Sequence, residues 1–170
     1  MTGARETPAL TGAAAAVITV SDRRSAGQAE DTAGPAVADA LHAAGAAVEA
    51  WVVADGLDSV TTAIEQALAS GARLILTAGG TGVHPRDVTP EATRPFLARD
   101  LPGIPELLRS TGARTTPTAA LSRGVAGVSA GHGPALIVNL PGSEAGAREG
   151  IDTLLPLLAH LLSQLDGGDH

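Results

Sequence analysis

The chain of 170 residues contains no lysine, no cysteine and no tyrosine, and its aromatic content is 1%, one tryptophan and one phenylalanine. All 11 basic side chains are arginine. Each absence excludes a chemistry. Without lysine there is no Walker-type phosphate loop of the usual kind, no Schiff base and no amine nucleophile. Without cysteine there is no disulfide framework, no thiolate nucleophile and no cysteine-held zinc or iron–sulfur centre. Arginine in place of every lysine, with so much alanine, also fits a GC-rich coding bias. The formal net charge of −7 lacks the basic footprint of a nucleic-acid or anionic-membrane binder. It leaves open an anionic small ligand held in a local pocket. No run of 18 apolar residues exists, so no membrane span is expected. Met1 to Gly12 lacks the apolar segment of a signal peptide, and the expectation is a cytoplasmic protein.

What is present is a core. The hydrophobic fraction is 44% against 17% charged, enough for one domain. Residues 1–12 and 166–170 are polar or glycine-rich and are expected to be flexible tails around a single domain at 13–165. Four short apolar runs, Ala15–Val20, Val48–Val53, Leu74–Thr77 and Ala135–Val138, suit strands buried on both faces. Helical spacing lies between them. Val37, Leu41 and Ala44 follow Pro35 and stop at Gly45. Val60, Ile64, Ala67 and Leu68 follow a cap at Asp58 or Ser59 and stop at Gly71. The order predicts an α/β fold with right-handed crossovers. A leucine stripe from Ile151 to Leu165 predicts a last helix, kinked or split at Pro156, that serves the core or a subunit contact. Residues 115–134 read as a loop with a short strand pair near an edge.

The segment Thr77-Ala78-Gly79-Gly80-Thr81-Gly82 directly follows a buried strand. Glycines there let the backbone turn sharply and gather N–H groups into a nest suited to phosphate, with Thr81 adding a hydroxyl; glycine for turn geometry alone is the plainer alternative. Arg86 and Asp87 follow, then a helix with Pro90 in its first turn, Thr89 as cap and Glu91 behind. Asp87 beside a phosphate makes sense with a hard cation such as Mg²⁺ between them; otherwise it caps a turn or pairs with Arg86. In an α/β sheet, ligands sit outside the carboxyl ends of the strands. That rim should also carry Ser21 and Asp22 after the first strand and Asp55 after the second. Asn139, Pro141, Gly142 and Ser143 after the last strand should join it, as should Ser122 and Arg123. His42, His84, His132, His160 and His170 show no metal-ligating spacing.

Thr19-Val20-Ser21-Asp22, Asp31 with Gly34, Val53-Ala54-Asp55, LILTAGGTGVHPRDVTPEAT (Leu74 to Thr93), Leu121-Ser122-Arg123 and Leu140-Pro141-Gly142-Ser143 occur in one colinear order. Together they resemble the molybdopterin adenylyltransferase family of molybdenum-cofactor biosynthesis, in its free-standing bacterial form, and are similar to the N-terminal domain of gephyrin. The resemblance implies a three-layer α/β/α sandwich with a mostly parallel sheet, in a homotrimer. It implies transfer of AMP from Mg-ATP to the terminal phosphate of molybdopterin, with release of pyrophosphate and delivery of the product to a molybdenum insertase. Asp55 and Asp87 match the family's catalytic aspartates and would hold Mg²⁺. Gly79 to Gly82 match its glycine loop, and Ser122 and Leu140 to Ser143 its other substrate-contacting turns. Arg86 or Arg123 would neutralise phosphate charge. The alternative is a molybdopterin-binding scaffold of the same pathway without transferase activity. Molybdenum and tungsten pathways are not separated by these residues. Pro95 falls in the second turn of the helix after Pro90 and puts its local geometry in question.

Overall fold

A computed structural model of the chain describes residues 10–131 and 133–168. Its centre is a six-stranded sheet in the order β2-β1-β3-β6-β5-β4. The strands are β1 Ala14–Val20, β2 Ala47–Val53, β3 Leu74–Ala78, β4 Leu97–Asp100, β5 Ala126–Ser129 and β6 Leu136–Leu140. β2, β1, β3 and β6 pair in parallel. β5 pairs antiparallel with both β6 and β4. Six helices surround the sheet: α1 Asp22–Ser25, α2 Ala33–Ala43, α3 Leu57–Ala69, α4 Thr89–Thr93, α5 Gly103–Gly112 and α6 Glu144–Leu165.

The three layers follow from strand alternation. Val17, Leu74, Leu76, Leu136, Val138 and Leu140 point to one face and pack with Val37 and Leu41 of α2 and Ile151, Leu154 and Leu158 of α6. Ile18, Val20, Ile75 and Ile137 point to the other and pack with Val60, Ile64 and Leu68 of α3 and Ala92 of α4. Side chains of opposite parity thus bury on both faces, so these runs read as continuous apolar stretches. The helix stops at Gly45 and Gly71 hold: both have positive φ, 97° and 86°, and the following residues Ala46 and Ala72 bond back to Leu41 and Ala67.

Several local expectations are corrected. α3 is capped by Gly56, whose φ of 156° favours glycine, and Ser59 Oγ instead donates to the carbonyls of Ala54 and Gly56. Thr89 is no cap: α4 begins on it, after Val88. Pro95 does end regular α-helix, since Arg94–Phe96 continues as a 3₁₀ turn. α6 is neither split nor interrupted at Pro156. Leu154 and Leu158, both fully buried, flank the proline and hold the helix on the sheet through the lost backbone bond. Residues 115–134 supply a 3₁₀ turn, Pro117–Leu121, and the inner strand β5. The edge strand is β4, with α5 after it, and neither was expected.

The expected tails lie partly outside the described residues, at 1–9 and 169–170. Leu10 itself is 2% exposed, and its N–H donates to Ala44 O. Its apolar side chain closes the core beside α2. Asp166 caps α6 and pairs with Arg73 at 2.7 Å.

Candidate functional site

Because β2, β1, β3 and β6 run in parallel, their carboxyl ends share one edge of the sheet. α2 follows β1 onto one face and α3 follows β2 onto the other. The connections therefore diverge between β1 and β3, where a crevice opens. The glycine loop after β3 fills this point. Gly79 has φ 115°, and a Cβ on it would lie 2.2 Å from Val20 O. Only glycine lets β3 leave the sheet this close to β1. Gly80 has φ 64°, and its Cβ would lie 2.3 Å from Thr89 Oγ1 and 3.4 Å from Asp55 Oδ1. Thr89 Oγ1 is buried and without a hydrogen-bond partner. An orphaned hydroxyl and a carboxylate thus converge on the same glycine.

Two cavities flank this loop. The smaller, about 310 Å³, is lined by Ser21, Arg23, Arg24, Glu30, Asp55, Gly79, Gly80, Asp87 and Gly142. The larger, about 390 Å³, runs from Thr81 and Gly82 past Ser122, Gly124 and Asn139 to Pro141–Ser143, α5 and the start of α6. Gly142 borders both. A Cβ on Gly142 would stand 3.0 Å from Gly79 Cα, so the turn after β6 rests on the loop after β3.

The charged groups are arranged in tiers. Asp55 Oδ2 accepts the Asp22 N–H at 2.8 Å, and Asp22 Oδ1 accepts the Asp55 N–H at 3.1 Å. This reciprocal pair ties the loop after β1 to the loop after β2. Arg86 closes over it, donating to Asp22 at 2.6 and 2.9 Å and to Asp55 O at 2.7 Å. The Arg86 guanidinium holds the Asp22 carboxyl below the usual aspartate range. Arg123 forms a second clamp, donating to Gly82 O at 2.8 Å, to Asp87 O at 2.6 Å and to the Glu91 carboxylate. Its guanidinium holds the Glu91 carboxyl down in the same way. Asp87 Oδ2 accepts the His84 N–H at 3.1 Å, and His84 Nδ1 accepts the Arg86 N–H at 3.2 Å. His84 therefore shapes the turn that presents Asp87.

The structure brings Ser21, Asp55, Gly79, Gly80, Asp87 and Gly142 onto one cavity, and Thr81, Gly82, Ser122, Pro141 and Ser143 onto its neighbour. Five other expected contact residues have internal partners, Asn139 while also lining the larger cavity. Asp22 and Arg86 are spent on each other, and Arg123 is spent on Glu91 and two carbonyls. Thr77 is fully buried and accepts from Asn139 Nδ2 at 3.0 Å. Asn139, 3% exposed, also donates to Thr93 Oγ1 at 3.0 Å and accepts from Val125 N at 3.1 Å, so its amide braces the floor beneath the rim. Ser143 Oγ caps α6 by accepting the Gly146 N–H. Sequence reasoning missed Arg23, Arg24 and Glu30. Their only signal was a charged stretch just after β1, which reads as solvated surface.

Among the described residues, no three of histidine, aspartate and glutamate gather into a metal-holding group. Two carboxylates on the cavity suit a hard cation that keeps waters and takes its remaining oxygens from a ligand's phosphates, the habit of Mg²⁺.

The family described as "probable molybdopterin binding domain" matches residues 16–160. A molybdenum cofactor biosynthesis bifunctional protein of Synechococcus elongatus is 44% identical over 96% of this chain and 51% of its own length. The chain thus spans about half the length of this relative, and 49% of a like-named protein of Chlorobaculum tepidum. A molybdopterin adenylyltransferase of Helicobacter pylori is 35% identical over 89% of this chain and 86% of its own length. The crystal structure of a molybdopterin biosynthesis enzyme from Thermus thermophilus superposes with a TM-score of 0.82 at 46% identity, over 91% of this chain and 96% of that one.

Proposed function

Because the chain belongs to this molybdopterin-binding domain family, we propose that it works in molybdenum-cofactor biosynthesis by transferring AMP from ATP to the terminal phosphate of molybdopterin. A phosphate oxygen of molybdopterin attacks the α-phosphorus of ATP. The bond from that phosphorus to the bridging oxygen breaks, and pyrophosphate leaves with the electron pair. The observation that carries the reading is the coincidence, on one cavity, of Asp55 and Asp87 with the positive-φ glycines Gly79 and Gly80 and two arginines.

Two polyanions must meet, so positioning and charge neutralisation dominate the chemistry. Gly80 to Gly82 offer backbone N–H groups to phosphate, while the Gly79 N–H is held by Leu140 O at 3.0 Å. Asp55 and Asp87 are the residues that would hold Mg²⁺, which when bound offsets the charge between the two phosphates. The Asp22–Asp55 bonds and the Arg86 clamp fix Asp55, and the His84 turn fixes Asp87. The larger, mostly apolar cavity, with Thr, Ser and Asn groups on its wall, fits a flat heterocycle that needs hydrogen-bond donors and acceptors around its rim. The smaller, charged one fits the phosphates.

Pyrophosphate release from ATP, measured with molybdopterin present and with or without Mg²⁺, tests the reading. Wild-type protein should release pyrophosphate only with Mg²⁺, and Asp87→Ala should lose at least about a hundredfold in rate, as expected when a key electrostatic group is removed. Molybdopterin binding with no adenylylated product under any condition would leave a scaffold instead.

A further inference from the structure

We propose that Arg24, held in place by Asp31 and the Gly142 carbonyl, is the phosphate-binding cation of the smaller cavity; this rests on the adenylyltransferase reading above. The two arginines that the sequence offered as phosphate-neutralising groups are both committed elsewhere. Arg86 makes a two-pronged bond to Asp22, and Arg123 is closed on Glu91, Gly82 and Asp87. A guanidinium already matched to a carboxylate has little charge left for a phosphate.

Arg24 is different. Its side chain is 17% exposed, and it lines the cavity with Asp55, Gly79, Gly80 and Asp87. Nη1 donates to Gly142 O at 3.0 Å and stands 3.9 Å from Asp31 Oδ1. Among the described residues Nε and Nη2 have no partner, so their three N–H hydrogens remain for a ligand. Asp31 lies at the outer limit of an ion pair because its oxygens are bound elsewhere: Oδ2 accepts Thr19 Oγ1–H at 2.7 Å and Oδ1 accepts the Gly34 N–H at 3.1 Å. It orients the guanidinium from behind while leaving much of its charge uncompensated. Gly34 keeps this support in place, for a Cβ there would fall 2.4 Å from Thr19 Oγ1 and 2.5 Å from Asp31 Oδ2. Arg23 borders the same cavity from an exposed position and adds long-range attraction.

The cavity's fixed charges sharpen the need. Glu30, Asp55 and Asp87 face Arg23 and Arg24. A phosphate entering there meets more carboxylates than guanidinium groups, and a cation with free donors decides whether it stays. Arg24 also bonds Gly142, in the turn that borders both cavities. Asp31 acts through Arg24 and is a positioning residue.

Calorimetric titration of the full chain with inorganic pyrophosphate and Mg²⁺ tests this, alongside adenylylation kinetics. Arg24→Gln should weaken pyrophosphate binding about ten- to a hundredfold, the range for a lost hydrogen bond to a charged group. Arg99→Gln, the same charge change on β4 at the far edge of the sheet, should bind like wild type. Arg24→Lys should recover part of the loss, and Asp31→Asn should raise the KM for ATP more than it lowers kcat. Wild-type affinity in Arg24→Gln, or in Arg24→Met should the glutamine variant not fold, overturns the assignment, as does an equal loss in Arg99→Gln. If wild type adenylylates while these variants bind pyrophosphate unchanged, only the role of Arg24 falls. Wild type that neither binds Mg-pyrophosphate nor adenylylates removes the functional reading as well.

Discussion

Asp22 and Glu91 each give up their freedom to an arginine, Arg86 and Arg123, and each carboxyl is held below its ordinary range by that partner. A carboxyl with a lowered folded pKa adds stability above the pH where the free group titrates, about 3.9 for aspartate and 4.3 for glutamate. That stability is lost as pH falls through the lowered folded value. Both clamps are therefore intact at and above the free-group values and open only as pH falls below them, through the lowered folded values. Thermal melts across this range should show wild type losing stability below pH 4 more steeply than Asp22→Asn, which has no such proton to take up. A parallel fall in the two proteins would remove the clamp from the acid response. At this scale the sequence revealed Asp55 and Asp87, because carboxylates just past buried strands land on the rim. It hid Arg24, whose partner Gly142 lies 118 residues away. It also suggested a substrate role for Thr77, which is fully buried and bonded to Asn139.

Among the elements, the strands visible in advance are the ones buried on both faces: β1, β3 and β6, with β2 recognisable from Val48 to Val53. β4 was not visible, since its residues Leu97–Asp100 are mostly exposed and carry two charges. α5 begins with glycine and proline and buries little, so its short stripe of Ile104, Leu107 and Leu108 was a weak signal. What joins α4 to the sheet is Asn139, bonded to β3 through Thr77 and to α4 through Thr93. Thr93 Oγ1 in turn donates to Thr89 O at 2.8 Å, at the start of α4. Asn139→Ala would leave the Val125 N–H and the Thr77 hydroxyl without this partner, while Thr93 keeps its bond to Thr89 O. The expected cost is about 2–3 kcal/mol, read as a shift of the urea midpoint. The loss should loosen α4 before the sheet, so hydrogen exchange at Ala92 should accelerate more than at Leu76.

For the whole molecule, the fold class was legible because alternating strand and helix patterns allow few layer arrangements. The assembly was not, because a wide leucine stripe serves a core and an interface equally well. The structure gives most of that stripe to the core: Leu154 and Leu158 are fully buried, and Leu155, Leu161 and Leu162 pack against the same cluster. The remaining exposed apolar groups include Val52, Leu57, Val83, Leu107 and Leu121, spread over several elements. The trimer implied by family resemblance predicts a scattering mass of three chains at micromolar concentration. A mass of one chain, unchanged on concentrating the sample, would contradict it.

The smaller and larger cavities meet where Gly142 rests on Gly79. What separates them is a party wall of two α-carbons bearing nothing but hydrogen. In the adenylyltransferase reading, two ligands would each keep their own contacts on opposite sides and meet where this partition ends. The chain has little liberty at that spot, since a methyl on Gly142 would press on Gly79 at 3.0 Å and one on Gly79 would strike Val20 O at 2.2 Å.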